Sequence, residues 1–310
     1  MAASDMMDNS FAKINRIKPA TNVIISVALA IIAILTVLPV VLVVMISLST
    51  SESLTYNGFS FFPSEITFTA YEGLFKTGSQ IIDSYLVTIA MTVCSAALGL
   101  AVMTMFAYAL SNPRFTARRF YTFMLFVTMV FSGGLVPGYI INRSYLHLYD
   151  TFWILILSSM VNQFYIIVLR TFISSTIPAE MMEAAQIDGA NEFQLFAKIV
   201  LPLAKAGLAT VALFLIVNKW NDWFVGMLYI ENAKLVPLQT MLTRIQQKID
   251  FIKNNSNIAG TPEGMALLRS MPTEQTRMAI VVVSTIPILF AYPFFQRFFI
   301  QGLTVGSVKG

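Results

Sequence analysis

Long apolar runs separated by short charged segments organise this chain. No charged residue falls between Lys18 and Glu52, between Asp83 and Arg114, from Phe120 to Asn142, from Thr151 to Leu169, or from Met278 to Gln296. About 20 apolar residues carry a helix across the hydrocarbon core of a bilayer. The runs therefore predict spans near 23–48, 84–110, 120–142, 151–169 and 278–296. One further run, Gly207–Ile230, is apolar as far as Val217, meets NKWNDW (Asn218–Trp223) and resumes as FVGMLYI. It brings the expected set to six. The pattern predicts an all-α polytopic membrane protein, with six transmembrane helices and a cytoplasmic helix between the fourth and the fifth.

Composition supports this class. The chain is 56% hydrophobic and 12% charged, against about 25% charged residues in soluble domains. Its net charge of +4 reports loop lysines and arginines rather than a nucleic-acid surface. The positive-inside rule orients the bundle. Lys13, Arg16 and Lys18 precede the first span, Arg114, Arg118 and Arg119 fill the second connection, and Arg297 and Lys309 follow the last span. With six spans these segments share one side, so both termini are expected in the cytoplasm. The expected organisation is a cytoplasmic tail (1–20) followed by one transmembrane domain (21–310). That domain includes an outer loop near 231–277 and a cytoplasmic C-terminal tail near 297–310. The first apolar run is too long for a signal-peptide core and is expected to be retained. One cysteine, Cys94, excludes a disulfide framework. One histidine, His147, excludes a histidine metal cluster, and no metal site is expected.

Between the fourth and fifth runs lies EAAQIDGANEFQLFAKIVLP (Glu183–Pro202). Pro178 and Glu180 suit the first turn of a helix, where proline loses no hydrogen bond and an acid meets the positive end of the dipole. Ala185 and Gly189, four residues apart, would share one helix face. Phe193, Phe196 and Ile199 would form a neighbouring apolar stripe, and Leu201-Pro202 would end the run. A helix lying on lipid headgroups should be rich in Lys and Arg, yet this one begins with acids. A protein partner fits it better.

The stretch resembles the EAA loop of binding-protein-dependent ABC importer permeases. Glu183, Ala184, Ala185, Gly189, Ile199, Leu201 and Pro202 match the family's pattern at every position. The resemblance implies a coupling helix, within about 178–202, that docks on a cytoplasmic ATPase subunit. Glu183 and Gly189 would be closest to that contact, with Asp188 beside them. The tail QRFFIQGLTVGSVKG (Gln296–Gly310) is similar to the end of maltose-type permeases, which close with GLT-x-G-x-VKG. There the tail reaches the ATPase dimer, implying contacts by Gly302, Leu303, Gly306, Lys309 and Gly310. FSGGLVPGYI (Phe131–Ile140) and WNDWF (Trp220–Phe224) resemble the branch that imports oligosaccharides or polysaccharide fragments. The implied partners are a homologous permease subunit, two ATPase subunits that bind ATP and Mg, an extracytoplasmic solute-binding protein, a glycan and the lipid bilayer. No cofactor is expected in this chain.

Two other classes compete. No G-x-x-x-x-G-K-[ST] occurs in the chain, so it has no phosphate loop of its own. A membrane-embedded enzyme needs clustered reactive side chains at membrane depth, where only Lys219 and Asp222 stand out. An ion-coupled secondary transporter also uses broken helices but needs intramembrane ionisable residues, in which this chain is poor. Polar side chains at membrane depth face the bundle or a cavity. Candidate pathway residues are therefore Asn162, Gln163 and Tyr165 in the fourth span, and Asn218, Trp220, Asn221, Asp222 and Trp223 in the fifth. The run also suits an interfacial anchor, because Trp gathers at membrane surfaces. SGGLVP (Ser132–Pro137) is expected either to unwind at a cavity or, more simply, to permit a close helix crossing.

Overall fold

A computed structural model describes residues 19–76, 79–255, 261–263, 265 and 272–307. Helices dominate, and no strand occurs among the described residues beyond one isolated bridge, Ser49 to Ile66. The chain divides into two compact units, Met1–Tyr71 with Thr273–Val282, and Glu72–Pro272 with Val283–Gly310.

The first unit is built on α1 (Pro19–Ser47). Its side chains from Ala20 to Val41 are all exposed. A helix that is apolar all round and uncovered by protein has its apolar surface facing lipid. Thr50 caps α2 (Ser51–Asn57) by accepting from Ser53 N at 3.2 Å. The following loop returns to α1, with Thr67 N donating to Leu48 O at 2.8 Å and Ser47 Oγ within 2.7 Å of Tyr71 Oη. Tyr71 lies in α3 (Thr69–Lys76).

The second unit is organised around α4 (Ser79–Ser111), 33 residues without a break. Its buried Ala96, Met103, Ala107, Tyr108 and Leu110 pack with Ile166, Leu169 and Ile173 of α8 (Gln163–Thr176) and Val211 and Leu215 of α12 (Lys205–Trp220). Small residues permit the close approach. A Cβ added at Gly99 would lie 2.2 Å from the Met160 carbonyl oxygen, and one at Gly207 would lie 2.7 Å from the Phe172 ring.

Among the described residues, three helical segments are long and apolar enough to cross a membrane: Ala20–Ser47, Gln80–Ser111 and Glu274–Ala291. The last belongs to the long final helix, Glu274–Ser307. Two bent pairs raise the number to five if each is one span. In the first, α5 (Arg118–Val130) turns by 110° into α6 (Leu135–Ile140) and the π-turn Ile141–Tyr145. The break falls at Phe131–Gly134, overlapping the first half of SGGLVP. Gly134 has φ +87, and a Cβ at Gly133 would meet nothing within 4 Å. The glycines unwind the chain rather than serve the close crossing expected. The predicted fourth span is likewise divided, into α7 (Phe152–Leu157) and α8, by Ser158–Asn162. The fold is thus the all-α polytopic membrane protein expected, and its spans are more broken than charge-free runs suggest.

Candidate functional site

Two constructions stand out, and both lie in the second unit. The first follows α8. Helix α9 (Ala179–Ile187) stops where Ala190 N donates to Ala185 O at 2.9 Å and Gly189 N to Gln186 O at 3.0 Å. That pair of bonds is a Schellman motif, which requires a left-handed residue past the helix end. Gly189 supplies it, at φ +86. Helix α10 (Glu192–Leu195) begins at once with a capping box. Asn191 Oδ1 accepts from Gln194 N at 2.9 Å, and Asn191 N donates to Gln194 Oε1 at 3.0 Å. Gly189 therefore does not share a helix face with Ala185, because the helix has already ended. The expected apolar stripe also divides. Phe193 is 77% exposed, and Ile187 beside the turn is 86% exposed. Phe196 instead tilts against Tyr108 at a ring separation of 5.5 Å, and Ile199 packs against the core.

The run ends at Leu203, one residue beyond Leu201-Pro202. The chain widens into a π-turn at Phe196–Val200, continues through α11 (Leu201–Leu203) and bends by 79° at Ala204. Pro202 lacks an N–H, and the widened ladder accommodates it. Glu183 is exposed and lies 3.5 Å from Arg114, while Ala184 and Asp188 are exposed without burying anything. A cavity of about 280 Å³ lies under α9, lined by Asn112, Arg114, Ile173, Met182, Glu183 and Gln186 among others.

The second construction is the break after α12. Asn221 Nδ2 donates to Val217 O at 2.9 Å, a second donor to a carbonyl that also accepts from Asn221 N at 3.2 Å. Asp222 Oδ1 accepts from Val225 N at 3.2 Å at the start of α13 (Phe224–Tyr229). Asp222 Oδ2 also holds Lys219 Nζ at 3.0 Å, and Ser159 Oγ takes a second ammonium bond at 2.9 Å. Thr240 on α14 (Leu238–Asn254) donates to Trp223 O at 2.9 Å. A cavity of about 330 Å³ opens here, lined by Asn162, Tyr165, Asn218, Lys219, Asn221, Asp222 and Trp223 with Ser95 and Ser159. Asn218 Nδ2 donates to Tyr165 Oη at 2.9 Å, and Tyr165 stacks on Phe214. Asn162 caps α8 through Phe164 N.

Two of the candidate pathway residues stand elsewhere. Trp220 is 3% exposed, donates from Nε1 to Ser284 O at 2.9 Å and meets Tyr85 edge-on. Gln163 is half-buried at the start of α8 and does not line the cavity. Of the C-terminal candidates, Gly302, Leu303 and Gly306 lie on the final helix, while Lys309 and Gly310 lie outside the described residues. No cluster of metal-ligating side chains occurs among the described residues.

Sequence reasoning missed Tyr108, Arg114, Gln186 and Glu192 around the loop. It also missed Ser95 and Ser159 at the cavity. The Asn191-x-x-Gln194 spacing was a legible sign of a second helix start. No local pattern marks Tyr108.

Residues 107–305 match the family described as "Binding-protein-dependent transport system inner membrane component". The chain belongs to this family of membrane permease components. It is the non-catalytic transmembrane subunit of an ABC importer. It is 35% identical over 264 residues to the polygalacturonan/rhamnogalacturonan transport system permease protein YtcP of Bacillus subtilis, covering 85% of this chain and 89% of that one. It is 36% identical over 265 residues to protein LplC of the same organism, covering 85% and 86%. A crystal structure of a bacterial ABC transporter involved in the import of the acidic polysaccharide alginate superimposes with a TM-score of 0.77 at 33% identity, covering 90% of this chain and 96% of that one.

Proposed function

We infer that the chain forms half of the pathway for an oligosaccharide or polysaccharide fragment. In this proposal six spans, with both termini cytoplasmic, form one domain over 21–310, paired with a homologous permease. A solute-binding protein delivers the glycan outside, and two ATPase subunits sit beneath. The single observation that carries the coupling role is the α9–α10 turn. Its backbone is fully capped at both helix ends, and it offers exposed Ile187, Gly189 and Phe193. An apolar, rigid and uncovered corner is suited to docking in a cleft on another protein. Glu183 can leave Arg114 cheaply for a cation on the partner, because exposed ion pairs hold weakly. The glycan is supported by the polysaccharides that two similar proteins are named for.

The mechanism follows from linkage. ATP draws the two ATPase subunits together, the docked loops approach one another, and the bundles rock from inward-facing to outward-facing. The loaded binding protein and ATP must both prefer the outward-facing state. Trp223, Asn218 and Tyr165 offer an aromatic face, an amide and a hydroxyl to a sugar, while Asn221 and Asp222 keep the broken backbone satisfied. The C-terminal tail, with Lys309 and Gly310, extends the ATPase contact. Purification of the chain from its native membrane tests the proposal. A second permease and an ATPase should accompany it. Recovery of a stable chain with neither would overturn the proposal.

A further inference from the structure

A continuous polar chain ties both halves of the loop to α4. Tyr108 is buried, and its hydroxyl donates to Glu192 Oε2 at 2.5 Å. Glu192 Oε1 accepts from Gln186 Nε2 at 3.1 Å. Gln186 Oε1 accepts from Arg114, whose other arm reaches Glu183. Tyr108 thus holds α10, and Arg114, just past the end of α4, holds α9.

Helix α4 also reaches the cavity. Ser95 lines it and donates to Ile156 O at 3.2 Å. Tyr108 lies thirteen residues further along the same unbroken helix, about 20 Å at 1.5 Å per residue. The covalent route from the loop to Asn218 is less rigid, since it crosses the π-turn and the 79° bend at Ala204.

We propose that Tyr108 and Glu192 are positioning residues that transmit motion of the coupling loop to the cavity through α4. The inference rests on the proposed docking of the loop on an ATPase. A bond to a charged acceptor is among the stronger hydrogen bonds. It is also the single direct side-chain hydrogen bond from α4 to α10 among the described residues.

The test uses the assembled complex with Asn218→Cys as a reporter in a Cys94→Ser background. Its labelling rate by a thiol reagent is compared without nucleotide and after trapping with ATP and vanadate. Trapping should change the rate in the parent. Tyr108→Phe keeps the ring against Phe196 and removes the hydroxyl. It should cut that response by roughly tenfold, the size of a lost bond to a charged group, while the ATPase still co-purifies. Glu192→Ala should do the same and decides the matter if Tyr108→Phe fails to assemble. Glu192→Gln keeps an acceptor for Tyr108 and should retain the response. A full response in Tyr108→Phe or Glu192→Ala overturns the transmission role. Failure of the parent itself to bind an ATPase overturns the docking proposal instead.

Discussion

Asp222→Asn isolates the energetics of the helix break. Lys219 is 4% exposed, and its ammonium contacts Asp222 Oδ2 at 3.0 Å and Ser159 Oγ at 2.9 Å. The asparagine is nearly isosteric, and its carbonyl oxygen can still accept from Val225 N. What it removes is the countercharge. Breaking a buried pair by removing one partner costs about 3–5 kcal/mol, whereas replacing both partners with groups of similar volume is often near neutral. A domain of 150–250 residues loses about 2–4 °C per kcal/mol. The single variant should therefore melt on the order of 6–10 °C lower, taking the smaller sensitivity for this larger chain. The double variant Lys219→Met/Asp222→Asn should recover most of the loss. The assay is thermal stability of the detergent-purified complex, read by size exclusion after heating. Single and double variants that melt together would refute the claim that Asp222 neutralises Lys219. Transport by the stable double variant then asks a separate question, whether the pair does more than hold the break.

Three further outcomes are expected. Gly189→Val should reduce ATPase retention during purification more than Gly189→Asn. The position has open space but a left-handed φ, which costs ordinary residues about 1–2 kcal/mol and asparagine less; equal retention would contradict the capped turn. Gly99→Ala should lower thermal stability by about 1–3 kcal/mol and by more than Gly207→Ala. The first Cβ meets a backbone carbonyl and the second a ring that can rotate, so the reverse order of melting points would be contrary evidence. Trp220→Phe should lower stability by about 0.5–1.5 kcal/mol, the net worth of the indole hydrogen bond to the Ser284 carbonyl, without altering uptake per assembled complex. Trp223→Ala should do the opposite, and melting and uptake assays on the two variants separate a core tryptophan from one at the cavity.

Much of this protein was legible in its sequence. Charge-free runs are dictated by the cost of burying charge in hydrocarbon, and they covered the helices on either side of the breaks at Phe131–Gly134 and Ser158–Asn162. The spacing from Glu183 to Pro202 marked the segment proposed to dock on an ATPase. The Asn218–Trp223 run marked a helix break, because amides and a carboxylate at that depth must serve either backbone or cavity. What the sequence could not decide was direction. Lipid and protein interior are equally apolar, so hydrophobic pattern does not say whether Phe193 or Phe196 faces inward, or which of Trp220 and Trp223 enters the core. Leu201-Pro202 marked the end of its run to within two residues, the bend falling at Ala204 because a π-turn took up the missing N–H. The Tyr108–Glu192 bond joins residues 84 positions apart. Only the packing of α4 against the elements that follow α8 brings the phenol and carboxylate within reach.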